Sequence, residues 1–172
     1  AAVACRDTST IRSVDMGEAS GRKFMLRVGI GFPAEKVILA DRSLKDKYGL
    51  AAYTIAAFKA IDTSKVVHYR MIIDGQEIEA DGFACRVDNS SNIGVPDISL
   101  WPATDVSDGY LDMLLWRDID LKTFFAAMSS LARPEVARNA FHHWRAREVS
   151  IATDQPQVIQ GDGEIFDNTP VT

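Results

Sequence analysis

The turn "DGQ", residues 74–76, separates "KVVHYRMIID", which alternates like a strand, from "EIEADGFACRVDNS". Asp-Gly supplies the two residues that most readily take positive φ, as a tight two-residue hairpin loop requires, so these segments are expected to pair antiparallel. The same reasoning makes an early hairpin of "SVDMGEA" and "KFMLRVGI" around "SGR". "YLDMLLWR" reads as a further strand, and "REVSIAT" and "QVIQ" return to strand character around "DQP". The chain then ends at "TPVT" soon after a glycine-rich turn.

Two segments change period. In "RSLKDKYGLAAYTIAAFKAID", Leu44, Tyr48, Ala51, Ala52 and Ile55 recur at helical spacing, with Phe58 and Ile61 extending the stripe. Gly49 is expected to divide it into a short helix and a longer one. "LKTFFAAMSSLA" predicts a helix with Asp120 as its N-cap, ending before Pro134. Helices and strands do not alternate regularly, which argues against a doubly wound parallel sheet. The expected class is mainly β with helical insertions (α+β), an antiparallel β-sandwich.

The 172 residues contain no interior linker, repeat or low-complexity stretch, so residues 1–172 are read as a single domain. Net charge is -5 with no basic block, so nucleic acid is not an expected partner. No apolar run approaches the roughly 18 residues of a membrane span. Cys5 and Cys85 lack partners at metal-finger spacing and read as reduced thiols of a cytoplasmic chain. Trp101, Trp116 and Trp144 read as core or rim aromatics, an apolar lipid groove being the sharper alternative.

Three motifs invite chemistry. "GIGFPA", residues 29–34, formally matches a dinucleotide fingerprint, but the acidic strand end required some 20 residues later is replaced by helical sequence. A glycine-permitted close approach of backbone segments is the better reading. In "TDVSDGYLD", Asp105, Asp108 and carbonyls around Gly109 offer hard oxygen ligands to Mg²⁺ or Ca²⁺, while Asp-Gly before a strand is also an ordinary hairpin signal. In "GDGE", Asp162 and Glu164 sit on a bend where a carboxylate could act as a general base, or merely turn the chain. His142 and His143, being adjacent, face different directions and make a poor metal pair.

Taken in order, "SVDMGEASGRKFMLRVGIGFPAEKV", "LKDKYGLAAY", "VDNSSNIGVPDISLWPATDVSDGYLDM" and "GDGE" resemble the C-terminal domain of the bacterial diacylglycerol kinase-like lipid kinases, relatives of sphingosine, ceramide and NAD kinases. Asn89, Gly94, Pro102, Ala103 and Gly109 fall where that pattern expects them. The resemblance implies the lipid-side β-sandwich domain of an ATP-dependent kinase, with its own N-terminal nucleotide-binding domain as partner. It implies Asp162 as the base for the lipid hydroxyl, supported by Glu164, and a cation held by Asp105, Asp108 and the main-chain carbonyl of Tyr110. Mg²⁺ is the implied metal, with Ca²⁺ as an alternative, and ATP the co-substrate of the parent. No G-G-D-G-T phosphate loop occurs, so the chain is expected to be an excised, inactive domain lacking its last strands. Membrane contact would be peripheral, and an exposed sheet edge would favour a homodimer. NAD kinase-like chemistry matches the motif order less well. A non-catalytic lipid- or metal-binding module, or an unrelated sandwich with plain Asp-Gly turns, are the rival readings.

Overall fold

The computed structural model describes residues 13–31, 66–90, 104–117 and 141–172. Both predicted helices, Cys5 and Trp101 lie outside the described residues. Eleven strands are described: β1 (Gly17–Ala19), β2 (Arg22–Phe24), β3 (Arg27–Ile30), β4 (Val67–Ile73), β5 (Gln76–Gly82), β6 (Ala84–Asp88), β7 (Leu111–Trp116), β8 (Phe141–Ala146), β9 (Val149–Thr153), β10 (Val158–Gly161) and β11 (Glu164–Asn168).

Local chemistry explains the hairpins. Ser20 and Gly21, Asp74 and Gly75, and Asp162 and Gly163 all have positive φ, which is the type I′ signature. They join β1 to β2, β4 to β5 and β10 to β11. All described pairings are antiparallel, in sheets ordered β1-β2, β11-β10-β3-β6-β7-β8 and β5-β4-β9.

The antiparallel, mainly β expectation therefore holds. Two strands are not among those read from the sequence: β8, and β11, which follows the Asp162-Gly163 turn. Val171 then pairs with Ile151, tying the final residues to β9.

One apolar cluster joins the two larger sheets. Val28, Ile30, Cys85, Val87, Met113 and Leu115 come from the six-stranded sheet, and Val67, Tyr69, Met71, Ile73 and Ile151 from the three-stranded one. Along β4, buried positions alternate with exposed or half-buried ones, the period-2 pattern of a sheet packed on one face. Cys85 is a free, fully buried thiol whose pKa burial pushes up, so it behaves as a small hydrophobe. Trp116 is buried and packs edge-on against Phe83 and Phe141, at 5.7 and 4.6 Å between centroids.

Strand β6 is buried on both faces. The face turned from the apolar cluster carries the pair Arg86–Asp88, with Arg86 Nε and Nη2 donating to Asp88 Oδ2 at 2.8 and 2.5 Å. Burial raises the Asp88 pKa, opposed by Arg86 and Arg27. Cross-strand from Asp88 lies Asp112, whose Oδ1 is 2.7 Å from His143 Nε2.

In "GIGFPA", Gly31 bears out the close-approach reading. β3 is flanked on both sides by antiparallel strands, which is not a βαβ unit. Gly31 has φ +74, and a Cβ there would lie 3.1 Å from the Phe83 carbonyl oxygen and the Tyr69 hydroxyl.

Candidate functional site: two acidic turns joined by hydrogen bonds

The Asp162-Gly163 turn is built from the strand beneath it. A Cβ on Gly161 would overlap the Phe166 ring, at 2.2 Å from its Cζ, so only glycine lets that ring lie on the strand. The Arg22 guanidinium stacks 4.3 Å above the same ring. Arg22 also donates to Glu164 Oε2 at 2.7 Å and to the Ile165 carbonyl at 2.8 Å. Glu164 is thus the exposed partner of Arg22.

Asp162 is held quite differently. Its Oδ2 accepts from the Met25 amide at 2.6 Å, and its Oδ1 from the Leu26 and Arg27 amides at 3.0 and 2.9 Å. Its own amide donates to the Arg27 carbonyl at 3.1 Å. Partial burial raises the carboxyl pKa, but the three amides and the Arg27 charge outweigh it and hold the group below the ordinary range. A carboxylate offers about four lone-pair sites. Three are taken, leaving one on Oδ2 of an exposed residue.

The second turn, residues 104–110, contains no strand, and β7, which follows it, pairs with β6 and β8, so Asp108-Gly109 is not a two-residue hairpin loop. Asp105 Oδ1 accepts from the Ser107 amide and hydroxyl at 3.0 and 2.8 Å. Asp108 Oδ1 accepts from the Tyr110 amide at 2.9 Å, and Oδ2 from Arg145 Nη2 at 2.5 Å. Among the described residues no group of three His, Cys, Asp or Glu side chains converges as a metal cage. The donor chemistry nevertheless fits a hard cation that keeps waters: two carboxylates and a carbonyl lie on one turn, and the hydroxyl of Thr104, which precedes them, is buried with no hydrogen-bond partner among the described residues.

A continuous path links the turns. The Met25 amide donates to Asp162, while the Met25 carbonyl accepts from Asn89 Nδ2 at 2.8 Å. Asn89 Nδ2 also donates to the Asp15 carbonyl at 2.8 Å, and Asp15 Oδ2 accepts from the Gly109 amide at 2.6 Å. Because both neighbours of Nδ2 are carbonyls, the orientation of the Asn89 amide is fixed. Asn89 is 1% exposed.

Sequence reasoning placed Asn89 in the pattern without its role. It missed Asp15, Arg22 and Arg145 altogether, whose partners lie 94, 142 and 37 residues away. Only the acidic character of "SVDM" hinted at the first.

Beside this path opens a cavity of about 490 Å³. Phe24, Val28, Ile30, Val87, Leu111 and Ile151 line its apolar part, and Asp15, Asn89 and Gly109 are among its other lining residues. It lies where the two larger sheets and the first hairpin meet, and its size is typical of a small-molecule site.

An antiparallel sandwich carrying two linked acidic turns beside an apolar cavity defines the class. The chain belongs to the family described as the YegS C-terminal NAD kinase beta sandwich-like domain, whose model matches residues 27–172. It is 29% identical over 170 residues to an uncharacterised protein of Synechocystis sp., covering 92% of this chain and 38% of that one. It is 25% identical over 170 residues to a Staphylococcus haemolyticus protein named "putative lipid kinase", covering 96% of this chain and 54% of that one. Among solved structures, a chain titled "putative diacylglycerol kinase" from Bacillus anthracis superposes with a TM-score of 0.70 at 22% identity, covering 93% of this chain and 52% of that chain. The chain thus spans about half the length or less of the relatives it matches. It is related to the C-terminal domains of lipid kinases, as its motif order implied.

Proposed function

We propose that this chain is the lipid-side domain of a larger ATP-dependent kinase that transfers the γ-phosphate of ATP to the hydroxyl of a diacylglycerol-like lipid. The observation that carries the reading is the hydrogen-bonded path from Asp162 through Asn89 and Asp15 to Gly109, running beside the apolar cavity. An amphiphile needs both parts, an apolar volume for its chains and a polar rim for its hydroxyl.

In this proposal the lipid hydroxyl donates to the remaining lone pair of Asp162 Oδ2. The hydroxyl oxygen bonds to the γ-phosphorus, the bond from that phosphorus to the bridging oxygen breaks, and ADP leaves. The hydroxyl proton passes to Asp162 and then to solvent. Phosphoryl transfer depends mainly on alignment and charge neutralisation, so a carboxylate of lowered basicity serves chiefly by fixing the hydroxyl. Glu164 and Arg22 brace the turn. ATP and its Mg²⁺ are assigned to an N-terminal nucleotide-binding domain of the parent. A Mg²⁺ or Ca²⁺ held by Asp105, Asp108 and the Tyr110 carbonyl would supply positive charge at the second turn.

No described helix is long and apolar enough to cross a membrane. The proposed location is the cytoplasm, with peripheral contact at the membrane surface. Pairing through an exposed sheet edge such as β11 would give a homodimer.

The test is phosphate transfer from ATP to a lipid panel by the full-length parent with Mg²⁺. Asp162→Asn is expected to lower kcat about 100-fold or more while circular dichroism stays native. A folded parent that binds the lipids but phosphorylates none would favour the non-catalytic binding module.

A further inference from the structure

Arg145 reaches Asp108 by strand pairing. In the β7–β8 register Arg145 lies opposite Asp112 and Ala146 opposite Leu111, which sets the guanidinium beside the turn that enters β7. Its Nη2 meets Asp108 Oδ2 at 2.5 Å. Its Cζ lies 4.3 Å from the centroid of the Tyr110 ring, and that of Arg147 lies 4.8 Å from the same centroid. Asp108 Oδ1 is meanwhile fixed by the Tyr110 amide. Arg145 therefore already occupies Oδ2, one of the two Asp108 oxygens that a divalent ion could take.

We infer that Arg145 is the built-in competitor of that ion and sets the divalent-cation affinity of the turn. The inference rests on the cation reading of Asp105, Asp108 and Tyr110 given above. Guanidinium and divalent ion cannot both hold Asp108 Oδ2 without like charges meeting at close range. When the ion binds, Arg145 gives up one charge-assisted hydrogen bond and keeps its stacking on Tyr110, a retreat that a planar guanidinium can make and an ammonium makes poorly. When the ion is scarce, Arg145 neutralises Asp108, so the turn keeps its shape at low divalent concentration. Arg145 is half-exposed and the Asp108 side chain is 20% exposed, so the exchange needs no unpacking of the core.

The experiment is a titration of the full 172-residue chain with Tb³⁺, read by luminescence sensitised through the nearby Tyr110 ring, with displacement by Ca²⁺ and Mg²⁺. Arg145→Gln removes the charge and leaves a shorter side chain that still carries a hydrogen-bond donor, and is expected to bind Ca²⁺ about tenfold tighter than wild type. Its Tm should be lower than wild type in chelator and should rise more on adding Ca²⁺. Arg145→Lys, which retains the charge but gives way less readily, should bind no tighter than wild type, and Asp108→Asn should lose binding in either background. Equal or weaker binding by folded Arg145→Gln, with wild type binding normally, overturns the competitor role and leaves the cation site standing. If neither wild type nor Arg145→Gln binds any of the three ions, the cation site itself fails, and this inference with it.

Discussion

Asp108-Gly109 and Asp162-Gly163 are the same dipeptide held in opposite ways. Asp162 is fastened to backbone: three amides of residues 25–27 converge on it, and its own amide returns to Arg27. Asp108 is fastened to its own turn and to a side-chain cation. The Arg27 amide belongs to β3 and those of Met25 and Leu26 to the bend that leads into it, so they cannot be re-partnered without moving the backbone, whereas a guanidinium on a flexible stem changes partner by a rotamer change. The first arrangement suits a group that must stand still before a substrate. The second suits a group that exchanges ions.

Stability measurements can break this contrast. The upper end of the scale is set by the buried pair Arg86–Asp88. Arg86→Met would leave Asp88, 0% exposed, as a buried charge that has lost both guanidinium hydrogen bonds and keeps only the Arg27 charge in partial compensation. The expected cost is about 3–5 kcal/mol by denaturant unfolding, and a near-neutral result would mean that Asp88 simply protonates. Asp162→Ala comes next, at about 2 kcal/mol for the lost charge-assisted bonds to backbone. Asp108→Ala in chelator should cost less than about 1 kcal/mol, as surface ion pairs do. Equal costs for the two turns would erase the distinction.

The smallest effect concerns acid. The Asp162 carboxyl titrates below its unfolded value of roughly 3.9 because amides favour the charged form, against a burial effect of opposite sign. Its contribution is therefore present above the unfolded pKa and is lost as pH falls through the lower folded value. The stability gap between wild type and Asp162→Asn should be full at pH 7 and shrink below about pH 4. A gap that widened in acid would show that the amides do not hold an ionised group.

What the sequence revealed divides along the same line. The hairpins at Ser20-Gly21 and Asp74-Gly75, and the bend at Asp162-Gly163, were legible because positive φ is a local demand that few residue types meet. Strand β8, "FHHWRA", was not, because His, Arg and Trp on half-buried positions give no apolar alternation. β11, "EIFDN", is mostly exposed and hides for the same reason. Both acidic turns were found as motifs, but what joins them could not be. Asp15 meets Gly109 across 94 residues and Met25 meets Asp162 across 137, and no short-range pattern encodes such partners.

That separation also has a consequence in time. β3 pairs with β6 and with β10, and the Gly29–Gln160 pair joins residues at opposite ends of the chain. At a ribosomal rate of about 5–20 residues per second, β3 waits roughly 7–26 s for β10 to be made. Until then the amides of Met25, Leu26 and Arg27 have no Asp162 to receive them, and one edge of β3 stands open to any passing strand. The proposed hydroxyl-binding position is thus among the last features of the domain to be assembled. A nascent chain stalled before residue 158 would carry most of the cavity wall and none of the Asp162 turn.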